Sequence, residues 1–206
     1  MRLLIFSVLC LTCCQAAVSQ KDTSQRYDAG EIKEMLILTD EVYKINIQSV
    51  PGDQIILTTH SEGEYYNDIH LEMQRSPQRM VLTSRFNESL PGGFDKLSAH
   101  KVFSLEITLQ VPQGLDIHLR SNLASISVSG NFKNFMAELQ QGSCDLKEFN
   151  GNAVVNTYRG NILVKTSNAT ITASSGTGKV NVPAKLEGNN RIELRSVTGD
   201  IKVEEN

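Results

Sequence analysis

The sequence holds no tryptophan, and after its first fourteen residues it holds one cysteine, Cys144. The other three, Cys10, Cys13 and Cys14, fall inside an N-terminal apolar run. With that run removed, no intramolecular disulfide and no cysteine-based zinc cluster can form, so burial must hold the fold together. Basic excess is missing as well: 20 Lys and Arg stand against 23 Asp and Glu. That balance argues against nucleic acid as a partner. Past the N-terminus no apolar run is long enough to cross a bilayer as a helix. Helical periodicity is equally scarce. Only "AGEIKEMLIL" (29–38) and "KNFMAELQ" (133–140) can be argued as helical, and Gly, Pro and Asn interrupt anything longer.

What is present first is an export signal. Arg2 supplies a short positive region, and "LLIFSVLCLTCC" is an apolar segment too short for a good membrane span. "AAVSQ" places small residues, Ala17 and Ser19, where a signal peptidase reads, so cleavage before Gln20 is expected. A lipoprotein signal ending in a lipidated Cys14 is the rival, weakened by a Cys where Gly, Ala or Ser usually stands. The expected organisation is a signal peptide at 1–19, a flexible segment at 20–30 and one domain at 31–206. The cleaved chain has 19 basic and 23 acidic residues, a net charge of −4. It is expected in the periplasm, on the cell surface or secreted, with no transmembrane segment.

The rest of the chain alternates. "SLEITLQVP" sets Leu105, Ile107, Leu109 and Val111 on one face, and "LDIHLR" sets Leu115, Ile117 and Leu119. A period of two marks half-buried strands, and an all-β fold follows. In the second half the alternation becomes a repeat. Gly142, Gly151, Gly160, Ala169 and Gly178 are nine residues apart; Asn190 follows after twelve and Gly199 after nine more. Two and four positions past each of these seven residues the side chain is always apolar, from Cys144 and Leu146 to Ile201 and Val203. A serial strand, corner and strand with one inward face is what a β-solenoid, a β-helix-like stack of short strands with Gly or Asn corners, requires. The corner residues Gly142, Gly151, Gly160, Gly178 and Gly199 are read as positions needing φ > 0, with Asn168 taking that role beside Ala169. Spacing fits a two-strand rung of 18–21 residues and a three-strand rung of 27–30 equally. Ile201 and Val203 read as the last inward pair, and the "EEN" tail as a charged plug for the open end.

These residues carry a family resemblance. "LEITLQVPQGLDIHLRS", followed by "GNILV", "GKVNV" and "TGDIKV", resembles the bacterial "putative-adhesin" domain of unknown function, a group of exported β-solenoid proteins of Bacteroidetes type. The likeness runs over about residues 35–206, with "VPGDQIIL" as an early turn unit. It implies a non-enzymatic binding module, and the family supplies no catalytic residues to carry over.

Candidate chemistry is sparse. None of His60, His70, His100 and His118 stands two to five residues from another His or a Cys, so no metal site is expected. "GTGK" lacks the leading glycine and following helix of a phosphate loop and reads as a turn. The outward residues Asn161, Thr170, Lys179, Arg191 and Asp200 form no carboxylate ladder of the kind glycoside hydrolysis needs. "NES" and "NAT" read as turns, and Cys144 as a small buried hydrophobe. The candidate contact surface is "EGEYYNDIHLEMQRSPQRM". Tyr65 and Tyr66 there, with Arg75 and Arg79, can stack on a sugar, anchor a protein, or cap the solenoid. No cofactor is expected, and the partner is an unknown envelope protein or glycan. The alternatives are a polysaccharide-active enzyme on a short solenoid and a structural or signalling accessory that binds another protein.

Overall fold

A computed structural model describes residues 20–63, 69–86 and 103–206. The described residues form fifteen strands and no helix. These are β1 (Gln20–Asp28), β2 (Glu34–Thr39), β3 (Lys44–Val50), β4 (Gln54–Gly63) and β5 (Ile69–Arg75). Next come β6 (Arg79–Phe86), β7 (Phe103–Pro112), β8 (Asp116–Ser121), β9 (Ser125–Gln141) and β10 (Cys144–Arg159). The chain ends with β11 (Ile162–Thr166), β12 (Ala169–Ser175), β13 (Val180–Asn181), β14 (Asn190–Thr198) and β15 (Ile201–Glu205). No helix among them could cross a membrane. Both helical candidates of the sequence are strand, in β2 and β9, because their apolar residues sit against neighbouring strands at every second position.

The strands lie in two rows. The first runs β1-β4-β7-β3-β9-β10-β11-β15-β13 and the second β5-β6-β2-β8-β9-β10-β14-β12. Strands β9 and β10 belong to both. Ser125–Ser129 of β9 pair with β3, while Asn134–Leu139 pair with β8. Between these halves the chain turns through Gly130 at φ 103° and, in β10, Glu148 at φ 46° and Gly151 at φ 143°. Phe132, Phe135 and Phe149 fill this bend, with Phe132 and Phe149 stacked at 5.7 Å. The inward residues of both rows form one core, and the sheet stays open at each end.

Register chooses between the two rung sizes. Cys144 lies beside Ile126 and Ile162, 18 residues away on either side, and Ile201 lies beside Val180, 21 away. These spacings are those of the two-strand rung. The order of stacking is not the order of sequence. Ile162 pairs with Ile201, not Val180, and Ala153 pairs with Ile192, not Ile171. The chain steps past one level to lay down β12 and β13, then returns and fills the vacant level with β14 and β15. The other end repeats the device: β2 lies between β6 and β8, and β3 between β7 and β9. Thus Ile201 and Val203 are buried inside the stack, and the uncovered end is β12 and β13. There Ile171, Ala173 and Val182 are partly buried and Val180 is 44% exposed. The "EEN" tail plugs nothing at that end.

The segment expected to be flexible at 20–30 contains β1, paired along all nine of its residues with β4. Both it and β5 attach antiparallel, so one end of the parallel stack finishes in antiparallel pairs.

Corner glycines have two separate causes. Gly142, Gly151 and Gly199 have positive φ, as read from the sequence, and Glu148 is the one non-glycine with positive φ among the described residues, so neither Asn168 nor the corner residue Asn190, both read as needing it, takes that role. Gly160 and Gly178 lack positive φ. A Cβ there would overlap the Gly142 carbonyl and the Gly199 carbonyl respectively, because corner backbones stack directly. A hydroxyl three residues before each of three corners fixes that approach. Thr157 Oγ1 donates to Gly142 O at 3.4 Å, Ser196 Oγ to Gly160 O at 3.0 Å, and Ser175 Oγ to Gly199 O at 2.8 Å. Each reaches the corner one level away, and the resulting order 142, 160, 199, 178 repeats the interlaced stacking. This Ser/Thr-x-x-Gly spacing is visible in the sequence, but its meaning depends on knowing which corner lies next door.

Thr157→Val keeps the shape and removes the hydroxyl, leaving the half-buried Gly142 carbonyl without that donor. It should cost about 1–2 kcal/mol in urea unfolding. Gly160→Ala forces the corner apart and should cost about 3 kcal/mol. Equal, negligible effects for both would show that corner stacking does not hold the fold.

Candidate binding face

The two rows present different outer faces. On the first, Thr58, Thr108, Asn46 and Ser127 share one column of the register, and Asp145, Leu163 and Lys202 continue it. On the second, the corresponding column reads Val81, Leu36, His118, Met136, Val154 and Glu193. All six are half-buried. With strands about 4.8 Å apart, the stripe from Val81 to Val154 is about 19 Å long.

A polar rail borders one side of this stripe. Asn134 Nδ2 donates to Asp116 Oδ1 at 2.7 Å, and Asn152 Nδ2 donates to Asn134 Oδ1 at 3.1 Å. The Arg191 backbone N–H then donates to Asn152 Oδ1 at 2.9 Å. Each amide is thereby locked, since its donor and acceptor are both engaged across neighbouring strands. Asp116, His118, Met136, Asn152, Arg191 and Glu193 are among the residues lining a groove of about 610 Å³. At its far side the face ends in the corner that carries Tyr158, 47% exposed, beside Val197, 50% exposed. Tyr43 and Leu123 project from the same corner at other levels. Four of the five large apolar side chains exposed among the described residues thus gather on one edge, and the Arg159 guanidinium lies 5.8 Å from the Tyr158 ring centre.

Of the residues singled out from sequence, His118 lies in this groove, while Arg75 and Arg79 lie elsewhere. Tyr65 and Tyr66 fall outside the described residues, as do His100, the "NES" stretch and the signal segment. Arg75 bonds the Asp28 carbonyl at 2.9 Å and its carboxylate at 3.3 Å, tying β5 to the end of β1. Arg79 bonds Glu34 at 2.8 Å, tying β6 to β2. His70 is exposed on β5, while His118 stands in the groove. His60 bridges two strands: Nδ1 meets Asp22 at 2.6 Å and Nε2 meets Glu62 at 3.0 Å. The Asp22 bond, then the Glu62 bond, raises the His60 pKa above its usual value. Cys144 is buried, and burial, aided by the Asp145 carboxylate, pushes its thiol far above the usual range.

Carboxylates do enter the groove, as Asp116 on β8 and Glu193 on β14. Two strands, β9 and β10, separate them. Three strand spacings put their backbones about 14 Å apart. Paired glycosidase carboxylates stand about 5–9.5 Å apart, and Asp116 is already committed to Asn134 and Lys133. These two groove carboxylates do not form such a pair.

Sequence reading missed this face because it followed only the inward residues. Its signal was a doubling of apolar residues: "MLIL" at 35–38, "MVL" at 80–82, "FMA" at 135–137 and "AVV" at 153–155. In each, the middle or second residue points outward, and register sets Leu36, Val81, Met136 and Val154 in one column.

No known family profile matches the chain, and no curated protein does. Solved structures do match in fold. One, a "putative cell adhesion protein" from Clostridium sporogenes, is 16% identical and aligns over 91% of this chain and 100% of its own, with a TM-score of 0.64. A "putative adhesin" from Bacteroides fragilis aligns over 89% of this chain and 97% of its own at 10% identity, with a TM-score of 0.41. The Clostridium structure thus shares the overall fold of this all-β chain.

The His60 bridge makes β1 attachment depend on pH. With its folded pKa raised, His60 stabilises fully below its ordinary value near 6.5, and this is lost as pH rises through the folded value. The melting temperature of wild type should exceed that of His60→Asn at about pH 5.5, and the gap should shrink by about pH 8.5. A gap that widens with pH would refute the bridge. Cys144 should resist thiol reagents in the folded chain and react on unfolding.

Proposed function

We propose that the chain is a short β-solenoid working as a non-catalytic, adhesion-type module exported to the cell envelope or beyond. Its contact surface is the outer face of the second row, from the Asp116–Asn152 rail to the Tyr158–Val197 edge. The observation that carries this reading is the asymmetry between faces: one column is polar but for Leu163, the other bears a 19 Å half-apolar stripe beside a groove, a length set by about four strand spacings. Large exposed apolar groups collected in one place mark an interaction surface, whereas scattered ones do not. Flat apolar side chains beside fixed amides suit a ligand with one apolar face and one hydroxylated or amide edge, such as a glycan or an extended protein segment. The cell-adhesion name of the Clostridium protein with this fold supports the same class. The spacing of Asp116 and Glu193 speaks against the polysaccharide-cleaving alternative.

Tyr65 and Tyr66, with Arg75 and Arg79, are a proposed second contact region. A Tyr65→Ala, Tyr66→Ala variant that still captures its partner would remove that region from consideration.

The full chain, secreted from an expression host, is screened on immobilised glycans and on fractionated envelope material. A Met136→Lys, Val154→Lys variant should lose at least about tenfold in affinity for whatever binds. An Asn46→Lys, Thr108→Lys variant on the opposite face should bind as wild type does. The reverse pattern would move the site to the first row, and saturable cleavage of a polysaccharide would replace the reading altogether.

A further inference from the structure

The two ends of the stack differ in a way that selects a partner. At one end the outermost strands are β1 and β5, which carry Lys21, Asp22, Arg26 and Asp28, and His70, Glu72 and Arg75. Between them the opening is lined by polar residues, among them Lys21 and Thr59, together with Leu57, Ile69, Leu71 and Leu105, and its two edge strands are charged. Charge on an edge strand is how sheets discourage further pairing.

At the other end charge lies only beside β13 and in the returning segment, at Lys179, Lys185 and Glu187, and the edge strand β12 has none. Strand β12 pairs with β14 on one side and with no strand on the other among the described residues. From Thr166 to Gly178 the sequence "TSNATITASSGTG" contains no ionisable side chain. Beneath it the core is incompletely covered: Ile171, Ala173 and Val182 are partly buried, and Val180 is 44% exposed. Only Leu186 of the returning 182–189 segment is buried. Seven residues of uncharged, unpaired edge beside an open apolar core form a template for strand addition.

We propose that this end binds the same end of a second copy of the chain, through antiparallel pairing of β12 with its own counterpart. Complementarity decides the occupant. Head-to-tail stacking would set the uncharged edge of β12 against the charged edge of β1 or β5. Like meeting like buries apolar residues on both sides and opposes no charges along the strand. An antiparallel pair of identical strands is related by a two-fold axis perpendicular to the sheet. That axis also keeps the first rows of the two copies in one layer, so β13 faces its counterpart. Such an isologous contact closes at two copies and builds no filament. It would place two binding faces on one continuous sheet, which raises avidity for a repetitive ligand without any new contact.

The full chain is secreted and its mass followed by light scattering and sedimentation from about 1 to about 100 µM. Dimers should form, and Thr172→Lys on exposed β12 should weaken them at least about tenfold, its lysine lying beside Glu193 of its own chain so that folding is retained. Ser24→Lys on β1 should leave the dimer unchanged. For a readout independent of affinity, Thr172→Cys should cross-link two chains on mild oxidation while Ser24→Cys does not, Cys144 being buried. A monomer throughout the range, open-ended polymers, or cross-linking through Ser24→Cys in place of Thr172→Cys would each overturn the proposal.

Discussion

The whole architecture depends on how closely successive corners approach. Where Gly160 meets the Gly142 carbonyl and Gly178 the Gly199 carbonyl, no side-chain atom fits. The strands on either side of the corner are thereby brought to hydrogen-bonding distance level after level. The Thr157, Ser196 and Ser175 hydroxyls convert that crowding into directed bonds, satisfying carbonyls that the turn would otherwise leave dry. On the opposite corners, amides do the equivalent work: Asn150 Nδ2 donates to Asn131 Oδ1 at 3.0 Å, and Asn190 Nδ2 donates to Asn150 Oδ1 at 2.7 Å. Small residues set the spacing, and short polar side chains make the spacing specific.

From that constraint the two outer faces become free to differ. Core packing uses only inward positions, and the corners fix the levels, so outward residues carry little of the fold. On the first row they are mostly polar and form local ion pairs such as Lys44 with Glu106 at 3.2 Å. On the second they hold a rigid amide rail and an apolar stripe in register. A binding surface of this kind is pre-ordered because its side chains sit on strands fixed from both sides, which lowers the entropy lost when a ligand is held.

Much of this was legible in the amino-acid order, and the remainder for definite reasons. Alternation revealed the strands, and the inward positions of β10, β11, β14 and β15 are buried as expected. The inward positions of β12 and β13 are apolar by the same pattern yet partly exposed, because periodicity reports which side of a strand faces the core and not where that strand stands in the stack. Level order is a long-range property. Nothing within nine residues of Ile162 distinguishes Ile201 from Val180 as its neighbour. Glycine was equally ambiguous: a letter that serves positive φ at Gly142 serves close packing at Gly160, and only the neighbouring chain separates the two uses. The outer face was written in doubled apolar residues, but a column emerges from them only after pairing partners are known.

The interlaced levels give the chain an unusual relation to force. In a stack built in sequence order, the final strand lies at the rim and can be peeled away one bond after another. Here β15 runs between β11 and β13, and β14 between β10 and β12. Tension on the C-terminus pulls β15 along its own axis with a neighbour on each flank, so both ladders must shear together before anything yields. The opposite end is built likewise, with β2 and β3 held between later strands, although β1 and its antiparallel partner precede them. A tethered protein stretched from its C-terminal end would therefore fail as a block and not as a zipper.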